Sequence, residues 1–180
     1  AMKIPFLIGG RDTRRLDPAR AGGKAAGLAR MAALGLPVPA AFVLPADLCR
    51  PAIEGDRRTL ERIDSALREG IAFLEARMGR RFGDRRRPLL VSVRSGAPRS
   101  MPGMLDTVLD VGCTRAATAG LVRVSGNLSF ALDCRRRFLE GYLETVVGEG
   151  PPAAALADDT NDCESLRVRV EALGARLAAC

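Results

Sequence analysis

The sequence predicts an α+β protein, a small sheet with flanking helices, and three observations lead there. Two apolar stripes recur at helical spacing: Leu60, Ile63, Leu67, Ile71, Leu74 and Met78 in one segment, and Phe130, Cys134, Phe138 and Tyr142 in another. Two short runs, Leu89 to Val93 and Leu105 to Val111, are continuously apolar or alternate as strands do. Between those runs lies Ser95-Gly96-Ala97-Pro98-Arg99-Ser100-Met101-Pro102-Gly103-Met104, whose glycines and prolines exclude helix and central strand and leave a loop.

Taken in order, Lys3 to Ile8 reads as a first strand and Gly9 to Asp17 as a polar connection. Ala21 to Gly35 reads as a helix, with Leu28, Met31 and Ala32 on one face and Gly35 as its C-terminal cap before Pro37. Lys24 then stands in the first turn, where the helix dipole disfavours a cation by a few tenths of a kcal/mol, roughly. A bound anion would resolve that conflict, and two glycines opening a helix beside a lysine suit phosphate. The same pattern also suits a flexible helix entry with an exposed lysine.

Leu36 to Leu44 follows as an extended entry into a strand, because each proline drives its predecessor out of the helical region. The stripe from Leu60 to Met78 predicts a helix over 57–78 that packs these six side chains into the core, and Gly79 and Gly83 end it. Leu89 to Val93 is expected to be a buried strand that delivers Arg94 to its end. Strand, arginine, small-residue loop and second strand can form an anion cradle of exposed N–H groups and a guanidinium fork, or an ordinary hairpin. Asp106 and Asp110 are the nearest acidic candidates for a metal, with solvent-facing strand positions as their plainer reading.

Beyond Val111, Thr114 caps a short helix over 115–123, and Asn127 caps a longer one reaching about Val147. Phe130, Cys134, Phe138 and Tyr142 are expected to bury there with Leu139, Leu143 and Val146. Gly148 to Ala155 has the composition of a linker. Asn161 with Glu164 forms a capping box for a last amphipathic helix carrying Leu166, Val170, Leu173 and Leu177. No internal repeat is present.

Composition narrows the function. At 180 residues, 47% apolar and 27% charged, the chain can bury a sizeable core. No apolar run approaches the roughly 20 residues of a membrane helix, and the start is too short for a signal peptide, so a cytoplasmic protein without membrane contact is expected. Ala1 ahead of Met2 reads as a remnant of tag removal. The five cysteines are odd in number, widely spaced and outside any CxxC pattern, hence reduced thiols. With no histidine, a zinc site is not expected, and a general-base imidazole and a phosphohistidine on this chain are excluded. The net charge of +7 favours anionic ligands or nucleic acid. The arginine runs Arg80-Arg81, Arg85-Arg86-Arg87 and Arg135-Arg136-Arg137 read as solvated surface. With aromatics at 4% and no tryptophan, stacking platforms for nucleic acid are few.

Two motifs carry a resemblance. VSVRSGAPRSMPGMLDTVLDVG, from Val91 to Gly112, resembles the signature of the N-terminal ATP-binding domain of the pyruvate phosphate dikinase family, whose relatives include phosphoenolpyruvate synthase. GGKAAGLARMAALGLPVPAAFVL, from Gly22 to Leu44, is similar to that domain's opening motif, with Ala25 where the family commonly has glycine. The likeness extends through the helix after Asn127.

The resemblance implies a partial ATP-grasp-like fold, with an N-terminal lobe and phosphate loop over 2–112 and a helical segment over 113–180. It implies that Lys24 and Arg94 act on the phosphates of ATP and that Ser95, Gly96, Gly103, Met104 and Thr107 complete the binding loop. The cofactors implied are ATP and Mg²⁺, with the metal ligands mostly in the second half of that domain, since Cys180 falls roughly midway through it. The activity implied is ATP-dependent phosphorylation of a histidine on another domain, incomplete in this chain alone. Partners are then the missing C-terminal domains or a separate chain, with a homo-oligomer through the exposed lobe face as a further expectation. The alternative is a stand-alone truncated paralogue that acts as a non-catalytic binding or regulatory module.

Overall fold

A computed structural model describes residues 5–9, 15–96, 107–148, 150 and 163–179 of the chain. Helices take up 63% of these residues, and the strands among them form three two-stranded sheets. The α+β expectation therefore holds. The chain divides into two compact units: one runs up to Gly79 and takes in Ser95 and Gly96, and the other holds Arg80–Arg94 and the described residues from Thr107 onward. These units do not coincide with the 2–112 and 113–180 segments.

In unit 1, strand β1 (Phe6–Ile8) pairs antiparallel with β2 (Ala41–Val43), Leu7 opposite Phe42. Between them come helices α1 (Pro18–Ala21) and α2 (Gly23–Ala33). The sequence reading runs these together from Ala21 and misses α1. Its signal is Asp17-Pro18: the Asp17 carboxylate accepts from the Ala19 N–H at 3.0 Å, and proline's missing N–H costs nothing at a first helical position. Gly35, at φ +79°, closes α2 as expected, with the Leu36 N–H donating to the Met31 carbonyl at 3.1 Å. A 3₁₀ turn (Ala46–Leu48), α3 (Cys49–Ile53) and the long α4 (Arg57–Met78) follow.

The bounds of α4 match the reading, but its buried face does not. Thr59, Ala66, Gly70 and Leu74 are buried, whereas Leu60, Leu67 and Met78 are exposed, at 46%, 41% and 53%. The Phe42 ring dictates the rotation. It sits where a Cβ on Gly70 would lie only 2.4 Å from its Cγ, so the helix turns its smallest residues toward β2.

In unit 2, β3 (Arg81–Phe82) meets β4 (Pro88–Leu89) in a short parallel ladder, and β5 (Val91–Arg94) pairs antiparallel with β6 (Thr107–Val111). Leu89 is buried, but Ser92, Val93 and Arg94 are exposed. The expected buried strand is thus buried at its start only, and its far half is one arm of a hairpin. Helix α5 (Arg115–Ser125) is seated on 85–88 through Gly120, where a Cβ would stand 2.8 Å from the Arg85 carbonyl oxygen.

Both predicted caps are in place: the Thr114 hydroxyl accepts from the Ala117 N–H, and Asn127 Oδ1 from the Phe130 N–H. Helix α6 (Leu128–Tyr142) runs on into a π-helical stretch (Leu143–Val147), and α7 (Cys163–Ala179) packs on it through Leu139, Leu143, Val170 and Leu173. Phe130 and Val146, expected in this core, are instead exposed. Most of the predicted linker, and Asn161 of the capping box, lie outside the described residues. So do Leu105, Asp106 and the loop residues from Ala97 to Met104.

Candidate phosphate-binding site

The lysine motif begins at a backbone break. Gly22 adopts φ +82°, ψ 151°, a region open essentially to glycine alone, and its N–H donates to the Pro18 carbonyl at 2.9 Å. This turn ends α1 and starts α2 one residue later, so Lys24 is the second residue of α2 and is exposed. Gly22 offers no side-chain cap, and no acidic residue stands in the first turn. Among the described residues the leading N–H groups of α2 therefore have neither an intrahelical acceptor nor a first-turn carboxylate, while the dipole adds partial positive charge.

Ser95 and Gly96 belong to the same unit. A Cβ on Gly96 would lie 3.6 Å from the Ala21 carbonyl oxygen and 3.8 Å from the Gly22 Cα. The start of the small-residue loop thus runs against the bend that opens the lysine helix. Arg20 braces this corner: its guanidinium lies 5.7 Å from the centre of the Phe6 ring and pairs with Asp47 at 2.9 Å. Two candidates far apart in sequence, Gly96 and the Gly22–Lys24 turn, are brought together here.

The remaining candidates fall in unit 2 or outside the described residues. Arg94 ends β5, exposed, opposite Thr107 at the first position of β6. Gly103 and Met104 lie outside the described residues. Asp110 is neither a solvent-facing strand residue nor a member of an acidic cluster. It occupies φ +54° where two residues of β6, Leu109 and Asp110, face the single Ser92, and its carboxylate pairs with Arg137 at 3.3 Å. Burial raises its pKa first, the Arg137 charge opposes that rise, and Asp133 adds to it. Among the described residues no group of three or more His, Cys, Asp or Glu side chains gathers in a metal-binding arrangement.

The third arginine run also departs from expectation, because it is built into the fold. Arg136 pairs with Asp133 and Glu140, Arg137 with Asp110 and Asp133, and the Arg135 Nη1 donates to the Cys113 carbonyl at 2.7 Å. The overlooked signal is spacing: Arg135 stands four residues after Ala131 and four before Leu139, both buried, so it shares their side of α6.

Among the described residues Cys49, Cys113, Cys134 and Cys163 form no disulfide. Burial pushes the Cys113 thiol up to about 11, against a weaker opposing hydrogen bond with Thr118, so it is no nucleophile at neutral pH. No helix among the described residues is long and apolar enough to cross a membrane.

The fold and this site define a mixed α+β protein in which a glycine turn, a lysine-bearing helix start and Gly96 adjoin. Known proteins make the likeness specific. The chain is 46% identical over 132 residues to the pyruvate, phosphate dikinase of Rhizobium meliloti, covering 73% of this chain and 15% of that protein. It is 41% identical over 126 residues to the Clostridium symbiosum enzyme of that name, and 44% over 126 residues to pyruvate, phosphate dikinase 2 of Zea mays; each match covers 70% of this chain and 14% of the relative. No family model matches the chain. Such identity over most of the chain supports kinship with the pyruvate, phosphate dikinase family. The chain spans about one seventh of the length of these curated relatives.

Proposed function

We propose that this chain holds the phosphates of ATP for a pyruvate phosphate dikinase-like phosphotransferase. The acceptor in this reading is a histidine on other polypeptide, since the chain has none. Lys24 supplies a point charge at the first turn of α2, whose N–H groups add donors for phosphate oxygens. Gly96 lets the loop backbone lie against that turn, and the Ser95 and Thr107 hydroxyls serve as further donors. Arg94 is the second cation, its guanidinium matched to two oxygens at once. The 41–46% identity to named dikinases supports the reading, and the observation that carries it is the contact of Gly96 with the Gly22 bend.

ATP when bound would supply the phosphoryl group. Among the described residues no three or more His, Cys, Asp or Glu side chains gather as a protein-built metal site would need; the reading assigns the Mg²⁺ ligands mostly to other polypeptide and routes no step through the ion. Two cations without the metal give part of the charge stabilisation that phosphoryl transfer needs, so binding rather than turnover is what this chain contributes.

Calorimetry with Mg-ATP tests this. The chain, alone or with the rest of a relative's nucleotide domain added, should bind, and Lys24→Ala and Arg94→Ala should each weaken binding by about tenfold or more, the worth of one charged hydrogen bond. Arg58→Ala, on exposed α4, should not. Absence of heat with the added polypeptide, or full affinity in both variants, defeats the reading.

A further inference from the structure

A cleft of about 270 Å³ lies within unit 2, lined by Arg115, Arg135, Val170, Glu171, Gly174 and Ala175. Arg115 is the first residue of α5, so its charge stands at a helix start that has no acidic residue in its first turn. Arg135 is half-buried on α6, with one guanidinium nitrogen fixed on the Cys113 carbonyl. Neither arginine forms an ion pair among the described residues, although Arg136 and Arg137 both do. Burial lowers the Arg135 pKa first, and the charge of Arg115 lowers it further, against an opposing pull from Cys113. Two like charges therefore face one cleft, with Glu171 the one carboxylate among its lining residues.

We infer that this cleft is a binding site for a small phosphate-bearing anion, separate from the Lys24 turn. Its volume lies just under the usual range for drug-sized ligands, so it has room for inorganic phosphate or a short phosphate monoester. The two guanidinium forks take phosphate oxygens in pairs. Glu171 repels a fully deprotonated face but accepts from a protonated phosphate oxygen or a neighbouring hydroxyl, which sets hydrogen phosphate and hydroxylated monoesters apart from sulfate. The α7 wall is made by Gly174 and Ala175, and a Cβ on Gly174 would meet nothing within 4 Å.

The test is titration of the ¹⁵N-labelled chain with inorganic phosphate, glycerol phosphate and sulfate, read from the Arg115 and Ala117 amides. Phosphate or glycerol phosphate should bind with about tenfold preference over sulfate. Arg115→Ala and Arg135→Lys should each weaken binding about tenfold, and Gly174→Leu, which fills the cleft from open space, should abolish it while the spectrum stays folded. Lys24→Ala should change nothing here, which separates this site from the nucleotide reading. A tighter response to glycerol phosphate than to inorganic phosphate would mark a monoester as the ligand, and the reverse would mark free phosphate. Saturation unaffected by both arginine variants, equal binding of sulfate, or no response from the wild-type chain would overturn the inference.

Discussion

Two glycines on helices show how differently one atom acts at two places. Gly120 in α5 has the Arg85 carbonyl oxygen 2.8 Å and the Pro88 Cδ 2.9 Å from where a Cβ would stand, and the obstructing oxygen is backbone. Gly27 in α2 has nothing within 4 Å of its Cβ position. Alanine is favoured over glycine by roughly 1 kcal/mol inside a helix, whereas forcing an atom into a packed contact costs about 1–3 kcal/mol. Gly27→Ala should therefore stabilise the chain by about 0.5–1 kcal/mol in urea unfolding, and Gly120→Ala should destabilise it because the clash outweighs the propensity gain. A Gly120→Ala protein as stable as the wild type would mean that α5 is not seated on residues 85–88.

Helix α4 shows what the sequence made legible and what it hid. Its ends follow from local chemistry, Asp56 before the first turn and Gly79 at φ +61° after the last, and both can be read from residue type. Its buried face cannot, because apolar spacing nominates Leu60 and Leu67 while the partner that decides, Phe42, is remote in sequence and selects Ala66 and Gly70. The same logic separates Phe130, legible as apolar yet exposed, from Arg135, legible as charged yet half-buried. The Asp56 cap has a pH signature. The Thr59 hydroxyl, and then its backbone N–H at 2.9 Å, hold the Asp56 pKa below the usual carboxylate range. A carboxylate depressed in the folded state gives stability that is present above its unfolded pKa and is lost as pH falls through its folded one. Wild type should thus melt at a higher temperature than Asp56→Ala at pH 6, and the gap should narrow as the pH is lowered below the usual aspartate value. A gap that stays constant down to acid pH would show that the ionised carboxylate is not what caps α4.

For the chain as a whole, the +7 charge invites a nucleic-acid reading, and the placement of the arginines weighs against it. Residues 135–137 are engaged with Asp110, Asp133, Glu140 and the Cys113 carbonyl, while Arg50, Arg57 and Arg68 sit in surface pairs with acids four residues away. Arg80, Arg81, Arg85, Arg86 and Arg87 are exposed and make a dense basic run within residues 80–87. Binding to duplex DNA should then be purely electrostatic and weak, with a dissociation constant of about 10⁻⁴–10⁻⁶ M near physiological salt and no preference among sequences. Replacing Arg85, Arg86 and Arg87 by glutamine should flatten the plot of log affinity against log salt by about 0.9 for each phosphate that the chain no longer neutralises. The same change should leave Mg-ATP affinity intact, because the proposed phosphate cations are Lys24 and Arg94. Filter binding across a salt series decides the matter: submicromolar, sequence-selective binding that survives the triple replacement would make nucleic acid, rather than nucleotide, the partner to which this charge is addressed.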